Sequence, residues 1–190
     1  MKRTLFLIIL LIPFVSCVSK KAIEGTALNS SSEAEVSFPK SWYGKWRGQL
    51  IIYNNKGVVQ EVAMEIHIAS TDSSNRHKMS LIYGEGEKQD VRDYEIIEID
   101  ASIGHFKTDE KNTIYLDDYY FNDVLYSRFE VMNNLLLTRI EKRNNKLYFE
   151  VISGNSKPVS TTGDDEENDI PPVNSYSIKV SQRAELQQYE

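Results

Sequence analysis

The chain has 190 residues, of which 28 are acidic and 22 are basic, so its net charge at pH 7 is −6. This acidic balance argues against nucleic acid as a partner and against electrostatic adhesion to anionic lipid. The chain contains one cysteine, which excludes an intramolecular disulfide.

The first residues contain the parts of an export signal. Lys2 and Arg3 precede a run of eleven apolar residues from Leu5 to Val15, and a small residue, Ser16, follows. A helix of that length reaches about 16 Å, well short of a hydrocarbon core of about 30 Å. We therefore expect this segment to be a signal peptide and not a mature transmembrane helix.

Cys17 lies at the end of this run. The sequence Phe14-Val15-Ser16-Cys17 resembles the lipobox of bacterial lipoproteins, in which the cysteine is lipidated and becomes the new N-terminus. The resemblance implies a lipoprotein signal peptide over residues 1–16, a lipid on Cys17, and anchoring to a membrane of the bacterial cell envelope, the outer membrane rather than the inner. A plain secretory signal with an incidental thiol is the alternative.

Removal of residues 1–16 would leave 20 basic and 28 acidic residues, a net charge of −8, so the lipid and not charge would hold the protein to a membrane. Residues 17–40 are rich in Ser, Glu, Ala and Lys without an apolar period, which predicts a flexible tether. The remaining chain, about 150 residues, has the usual size of one domain. We predict a β-domain over residues 41–183 and a polar tail over residues 184–190.

From Gly44 onward the apolar residues recur with a period of two, which is typical of β-strands. In the second predicted strand, Val62, Met64 and Ile66 share one face, while Glu61 and Glu65 share the other. The predicted strands are Gly44–Tyr53, Val58–Ala69, Lys78–Tyr83, Gln89–Ile99, Ile103–Thr108, Thr113–Phe121, Val124–Met132, Leu135–Lys142, Lys146–Ile152 and Val173–Val180. An irregular acidic insertion at residues 153–172 separates the last two.

About ten short strands joined by tight turns, without a strong helical segment, predict an all-β fold built as a single antiparallel meander. A meander of this length avoids exposed edges by closing into a barrel. A two-sheet sandwich with a Greek-key crossing is the alternative.

The first predicted strand carries a motif. Gly44-Lys45-Trp46 resembles the Gly-x-Trp motif of the lipocalins and of the wider calycin group of barrels, so the resemblance implies a lipocalin/calycin-like barrel. In lipocalins this tryptophan closes one end of the barrel, and a basic residue from a late strand packs across it. Carried over to this chain, the resemblance implies a structural plug of Trp46, Gly44, Gly48 and Arg139, with Arg128 as the second choice for the basic residue.

Extended to Gly48, the motif is also similar to the first strand of the nitrobindin-like haem barrels. Those barrels imply an axial histidine near the C-terminus. Because no histidine follows His105, we expect no haem, and no other cofactor is indicated.

The sequence offers no set of catalytic residues. It has no Gly-x-Ser-x-Gly motif, no glycine-rich phosphate loop and no cysteine besides Cys17, so we predict a protein that is not an enzyme. Asp117 and Asp118 are adjacent, and on a strand they would point to opposite faces and could not act as a carboxylate pair.

Metal binding is not indicated either. His67, His77 and His105 lack the spacing of metal ligands, and we predict no metal site. The acidic cluster at residues 164–169 lacks the spacing of a calcium loop, which favours a solvated loop.

Barrels of this type hold apolar ligands among aromatic and aliphatic side chains. The candidate pocket residues are Met64, Ile66, Tyr83, Tyr115, Phe129 and Phe149. The first function hypothesis is a carrier or sensor that binds a small apolar or amphipathic ligand inside the barrel. The alternative is a non-enzymatic assembly or interaction module with a packed core and an envelope protein as its partner. An empty interior volume favours the first hypothesis, and a filled interior favours the second.

Overall fold

The computed structural model describes residues 37–190. The predicted signal peptide, Cys17 and most of the predicted tether lie outside the described residues. Within them no helix is long and apolar enough to span a membrane.

Ten strands form a closed barrel in which each strand is antiparallel to both of its neighbours. Going round the barrel, the order is β1-β12-β9-β8-β7-β6-β5-β4-β3-β2, and β10 pairs with β11 in a separate small sheet. The strands are β1 (Gly44–Asn54), β2 (Gly57–Ser70), β3 (Arg76–Tyr83), β4 (Asp90–Asp100), β5 (His105–Asp109), β6 (Tyr115–Phe121), β7 (Val124–Val131), β8 (Asn134–Arg143), β9 (Lys146–Asn155), β10 (Ser160–Thr162), β11 (Val173–Ser175) and β12 (Val180–Tyr189).

The predicted fold class, a single antiparallel barrel of about ten strands, is confirmed. The sandwich alternative is wrong, because β1 pairs with both β2 and β12 and the sheet closes on itself. The first nine predicted strands correspond to β1–β9, with ends within three residues of those observed.

The prediction of the tenth strand is wrong. Val173–Val180 contains only the short β11 and the first residue of β12, whereas β12 closes the barrel and includes residues 184–189 of the predicted polar tail. Ala184 and Leu186 are buried and pair with both β1 and β9. Because so few residues of β12 are buried and apolar, its period-two pattern in the sequence is weak.

The barrel has a closed end and an open end. The segment Ser37–Tyr43, which contains a short 3-10 helix at Lys40–Trp42, covers the end at which β1 begins. Phe38 stacks on Tyr120 with ring centroids 4.3 Å apart and contacts Trp42 edge-on at 4.8 Å. The predicted boundary of the tether at residue 40 is therefore wrong, because Phe38 and Pro39 are buried. The turns β1–β2, β3–β4, β5–β6 and β7–β8 and the insertion at residues 156–179 lie at the opposite, open end.

Trp46 lies in the closed end, fully buried, and its indole N–H donates a hydrogen bond to the carbonyl of Trp42 at 3.0 Å. The basic residue over its ring is Lys142, whose ammonium is 5.7 Å from the ring centroid and also donates to the carbonyl of Ser41. The predicted partner, Arg139, is wrong: it forms an ion pair with Glu141 on the outer face.

The alternation along β8 explains this correction. Ile140 is buried in the core, so Arg139 points outward, and Lys142, two residues beyond Ile140, points inward. Arg128, the second choice, lies on the outer face of β7, since the neighbouring Ser127 and Phe129 line the interior.

Two glycines let β1 fit between its neighbours. A Cβ atom at Gly48 would lie 2.1 Å from the carbonyl oxygen of Glu185 on β12, so only glycine permits the strands to approach this closely. Gly44 has a φ of +141°, and a Cβ atom there would meet the side chain of Gln188 at 2.5 Å.

Candidate functional site: a cavity in the open half of the barrel

The interior of the barrel differs between its two halves. In the closed half, side chains from opposite walls meet and leave almost no exposed surface. This packed layer consists of Trp46, Leu50, Met64, Ile66, Ile96, Leu147 and Leu186. It forms a solid base beneath the open half.

The open half contains a cavity of about 210 Å³. Its floor is apolar and is formed by Met79, Leu81, Leu125, Ile140 and Phe149. Its wall adds Thr108, Leu116, Ser127, Phe129, Leu136, Thr138, Val151 and Gln182, and Tyr83, Arg92, Tyr94 and Glu110 stand nearest the turns of the open end. The cavity therefore combines an apolar floor, three hydroxyl groups and a mixed rim.

The predicted pocket residues divide into three groups. Tyr83, Phe129 and Phe149 line the cavity. Met64 and Ile66 point inward but belong to the packed closed half. The placement of Tyr115 is wrong: its side chain is 54% exposed on the outer face, because its neighbour Leu116 is the residue that faces the cavity.

A buried carboxyl group lies behind two of the hydroxyl groups. Asp118 on β6 is fully buried, and it accepts a hydrogen bond from Thr108 on β5 at 2.6 Å and another from Ser127 on β7. Asp117 points the opposite way and pairs with His105 on the outer face at 2.7 Å. The two aspartates thus occupy different environments, as their adjacency on a strand predicts.

Burial dominates the electrostatics of Asp118. Loss of solvent raises the pKa of its carboxyl from 3.8 to about 6, against the opposing effect of the Ser127 and Thr108 hydrogen bonds. The nearby charge of Asp117 also raises the pKa, and that of His105 lowers it. The carboxyl therefore changes its protonation state at a mildly acidic pH.

The rim carries the other charged groups of the site. Arg92 donates from Nε to Asp90 at 3.0 Å and lies over the ring of Tyr83, 5.1 Å from the centroid. Burial raises the pKa of the Tyr83 hydroxyl to about 12, and it raises the pKa of Tyr94 as well, so both hydroxyls remain protonated at neutral pH. Glu110 completes the rim and accepts a hydrogen bond from Asn112 at 3.3 Å.

Sequence reasoning did not identify Thr108, Asp118 and Ser127 as site residues. For two of them the period-two pattern of the strands gives an indication. Thr108 shares a face with Phe106, two residues before it, and Ser127 shares a face with Leu125 and Phe129. A polar residue within a row of inward apolar residues marks a polar spot in the interior. For Asp118, only the register of β6 against β5 and β7 shows which of two adjacent aspartates is inside.

The three histidines lie outside the cavity. His67 bonds to Glu65 at 2.7 Å and to Tyr189 at 3.0 Å. His77 is buried at the start of β3, with its Nδ1 2.6 Å from the hydroxyl of Tyr43, and burial lowers its pKa. Over residues 37–190, no group of three or more His, Cys, Asp or Glu side chains is placed to hold a metal ion.

The acidic cluster of the insertion is exposed. Asp165 caps the 3-10 helix Glu166–Asn168 by accepting a hydrogen bond from the Asn168 backbone. Its carboxylate also accepts one from the Asn168 side chain at 2.8 Å.

Comparisons by sequence find no matching family and no matching curated protein. By structure, the chain is similar to an S-type phycobiliprotein lyase from Guillardia theta, with a TM-score of 0.53 and 10% identity, over 78% of this chain and 88% of that one. It is also similar to a protein of unknown function from Nostoc punctiforme, with a TM-score of 0.50 and 12% identity, over 76% of this chain and 47% of that one. At such low identity, these similarities show a shared barrel fold and nothing of the chemistry.

Proposed function

We propose that this protein is a lipid-anchored lipoprotein of the cell envelope whose barrel binds a small apolar or amphipathic ligand, as a carrier or a sensor. The observation that supports binding is the cavity of about 210 Å³, which has an apolar floor and hydroxyl groups in its wall. The fully packed interior that a purely structural barrel would need throughout is interrupted by this cavity in the open half.

The cavity sets the size of the ligand. An apolar cavity of about 150 Å³ holds benzene, so scaling by volume gives room here for roughly eight non-hydrogen atoms. The driving force is the removal of the apolar part of the ligand from water, and the hydroxyl groups fix its orientation. A ligand with a longer chain would extend between Arg92, Tyr94 and Glu110 at the rim.

The proposal describes a binder and not an enzyme. The cavity lining contains one carboxylate at its rim and several hydroxyl groups, but it contains no histidine within the described part of the chain. A serine or threonine in the wall therefore has no imidazole beside it to act as a general base.

The membrane part of the proposal depends on Cys17 and the preceding residues. A lipid on Cys17 would retain the protein in the membrane fraction of cells, since the strongly acidic chain has no electrostatic attraction to anionic lipid. Cys17→Ala should move the protein to the soluble fraction. Unchanged partitioning of this variant would show that lipidation at Cys17 does not anchor the protein.

Ligand binding is tested by mass spectrometry of small molecules extracted from the protein after purification from its native membrane. We expect one compound or class to be enriched over a control extract. Leu136→Trp should abolish the enrichment, because residue 136 lines the cavity and a larger ring there fills it. Leu137→Trp is the matched control, since the adjacent side chain lies on the outer face and is 39% exposed. Absence of any enriched compound from the unmodified protein would contradict the proposal.

One observation favours the second candidate, a protein-interaction module. Three aromatic side chains, Tyr115, Tyr119 and Phe121, are each about half exposed along the outer face of β6. Exposed aromatic groups of this kind are enriched in protein interfaces. If this face is the functional one, Tyr119→Ser with Phe121→Ser should abolish co-purification of a specific envelope protein, while Leu136→Trp should leave it unchanged.

A further inference from the structure

Behind the wall of the cavity lies a negative charge that the protein does not neutralise. Asp118 is fully buried, and no cationic side chain among residues 37–190 forms an ion pair with it. A buried carboxylate is costly unless hydrogen bonds or an opposite charge compensate it. Here Thr108 and Ser127 supply the hydrogen bonds, and the opposite charge is missing.

The two hydroxyl groups transmit this charge to the cavity. An ionised carboxylate can only accept hydrogen bonds, so both hydroxyl protons are directed at Asp118. Thr108 and Ser127 also line the cavity, where their oxygen atoms therefore present lone pairs and no proton. This part of the wall accepts hydrogen bonds from a ligand and cannot donate them.

The other charged side chains of the lining, Arg92 and Glu110, do not supply an unpaired positive charge. Arg92 is occupied by Asp90, with both Nε and Nη2 at 3.0 Å from the same carboxylate oxygen, so this pair is neutral as a unit. Glu110, also in the lining, has no ion-pair partner among the described residues and adds a second negative charge. The site as a whole favours a ligand with a positive charge.

We propose that the ligand carries a protonated amine, which donates hydrogen bonds to the oxygens of Thr108 and Ser127 and neutralises Asp118 behind them. This inference rests on the proposed function and adds the chemical class of the head group. The apolar part of the amine would lie on the floor formed by Leu81, Leu125 and Phe149. Hydrogen bonds that involve a charge are stronger than neutral ones, so the amine should determine which ligands bind tightly.

Protonation of Asp118 should weaken this preference. Because burial raises the pKa of this carboxyl to about 6, acidification below that value removes the negative charge and frees one hydroxyl to donate into the cavity. On β5 and β6 the charges that act on Asp118 are those of His105 and Asp117 on the outer face. The titratable and charged groups of the cavity rim are Tyr83, Arg92, Tyr94 and Glu110. Amine binding should therefore be stronger at pH 8 than at pH 5.

Three probes of equal length and different head group test this inference: octylamine, 1-octanol and octanoate. Their dissociation constants for the complete purified protein are measured by calorimetry at pH 8. Charge-assisted hydrogen bonds contribute about 1.5 to 3 kcal/mol, so octylamine should bind about tenfold to a hundredfold more tightly than octanoate, with octanol between them.

Asp118→Asn keeps the shape of the side chain and removes its charge, so octylamine should lose most of its advantage while octanol binding changes little. Asp117→Asn is the matched control, because it removes the neighbouring charge on the outer face, and the preference should remain. If Asp118→Asn does not fold, Ser127→Ala serves instead, since it removes one of the two acceptors facing the cavity.

The outcomes separate the two proposals. If none of the three probes binds, the proposed function itself is contradicted. If octanol binds but octylamine has no advantage over octanoate, the cavity is a ligand site and the amine inference is wrong. An advantage that survives in both Asp118→Asn and Ser127→Ala also overturns the inference, because the preference then originates elsewhere.

Discussion

Replacing Asp118 with asparagine should change how the stability of the barrel depends on pH. The carboxyl is fully buried, and burial raises its pKa from 3.8 to about 6. Asparagine has the same shape, can exchange hydrogen bonds with Thr108 and Ser127, and does not titrate. The comparison therefore isolates the protonation of one buried group.

The direction of this pH dependence follows from how many protons Asp118 binds in the folded and in the unfolded state. Between pH 3.8 and about pH 6 the folded state keeps the proton that the unfolded state has released. A raised pKa gives stability that is fully present below the unfolded pKa and is lost as the pH rises through the folded pKa. One pKa unit corresponds to about 1.4 kcal/mol, so this shift amounts to about 3 kcal/mol in full, and about 2 kcal/mol of it falls between pH 4 and pH 8.

Urea unfolding of both proteins at several pH values between 4 and 8 measures this effect. The free energy of unfolding of wild type, relative to that of Asp118→Asn, should fall by about 2 kcal/mol as the pH rises from 4 to 8. His77 acts in the opposite direction, because burial lowers its pKa and the stability it confers is lost as the pH falls below 6.5. Its contribution is common to both proteins and cancels in the difference. Asp117→Asn, on the outer face, should not show the effect.

A difference in the free energy of unfolding between wild type and Asp118→Asn that stays constant from pH 4 to pH 8 would contradict this prediction. Asp118 would then have the same pKa in the folded and unfolded states. A difference that grows in favour of wild type as the pH rises would show that the hydrogen bonds from Thr108 and Ser127 outweigh burial.

Three further predictions concern the barrel itself. Trp46→Ala should lower the free energy of unfolding in urea by about 3 to 5 kcal/mol, as for other buried aromatic groups. Lys142→Met should lower it more than Arg139→Met does, because Lys142 is the residue that lies over the Trp46 ring. Gly48→Ala should lower the melting temperature, because its Cβ would lie 2.1 Å from the carbonyl oxygen of Glu185. Deletion of residues 184–190 should prevent folding, observed as loss of the β-sheet circular dichroism signal, because it removes most of β12.

Each of these has a contrary result. A Trp46→Ala variant as stable as wild type would show that this residue does not hold the closed end together. If Arg139→Met destabilises the protein more than Lys142→Met does, the basic partner of Trp46 is Arg139, as the lipocalin resemblance implies. An unchanged melting temperature for Gly48→Ala would show that β1 and β12 can separate without cost. A folded protein without residues 184–190 would mean that β12 does not close the barrel.

Much of the fold was predictable because most strands are amphipathic. β2 shows why: apolar and polar residues alternate along it, so its inner face and its limits follow from the sequence. β12 was not recognised because only Ala184 and Leu186 are buried on it, and most of its other residues are polar. A strand with a short apolar row resembles a polar tail until the pairing of its neighbours is known.

The residues of the site were harder to predict because they depend on register. The sequence indicates that Asp117 and Asp118 point to opposite faces, but only the pairing with β5 and β7 shows which is inside. The same one-residue ambiguity led to Tyr115 in place of its inward neighbour Leu116. The lipocalin resemblance identified the role of Trp46 but not the identity of its basic partner, which depends on which residues of β8 face the interior.

A methyl NMR titration with 1-octanol tests most directly whether the open half of the barrel is a ligand site, since it needs no assumption about the head group. If the account is correct, the resonances of Leu81, Leu125 and Ile140 on the cavity floor shift and saturate together. Those of Leu50 and Leu186 in the packed closed half should stay in place. The open half is not a ligand site if the floor residues do not shift at saturating octanol, or if the shifts are confined to outer residues such as Leu137.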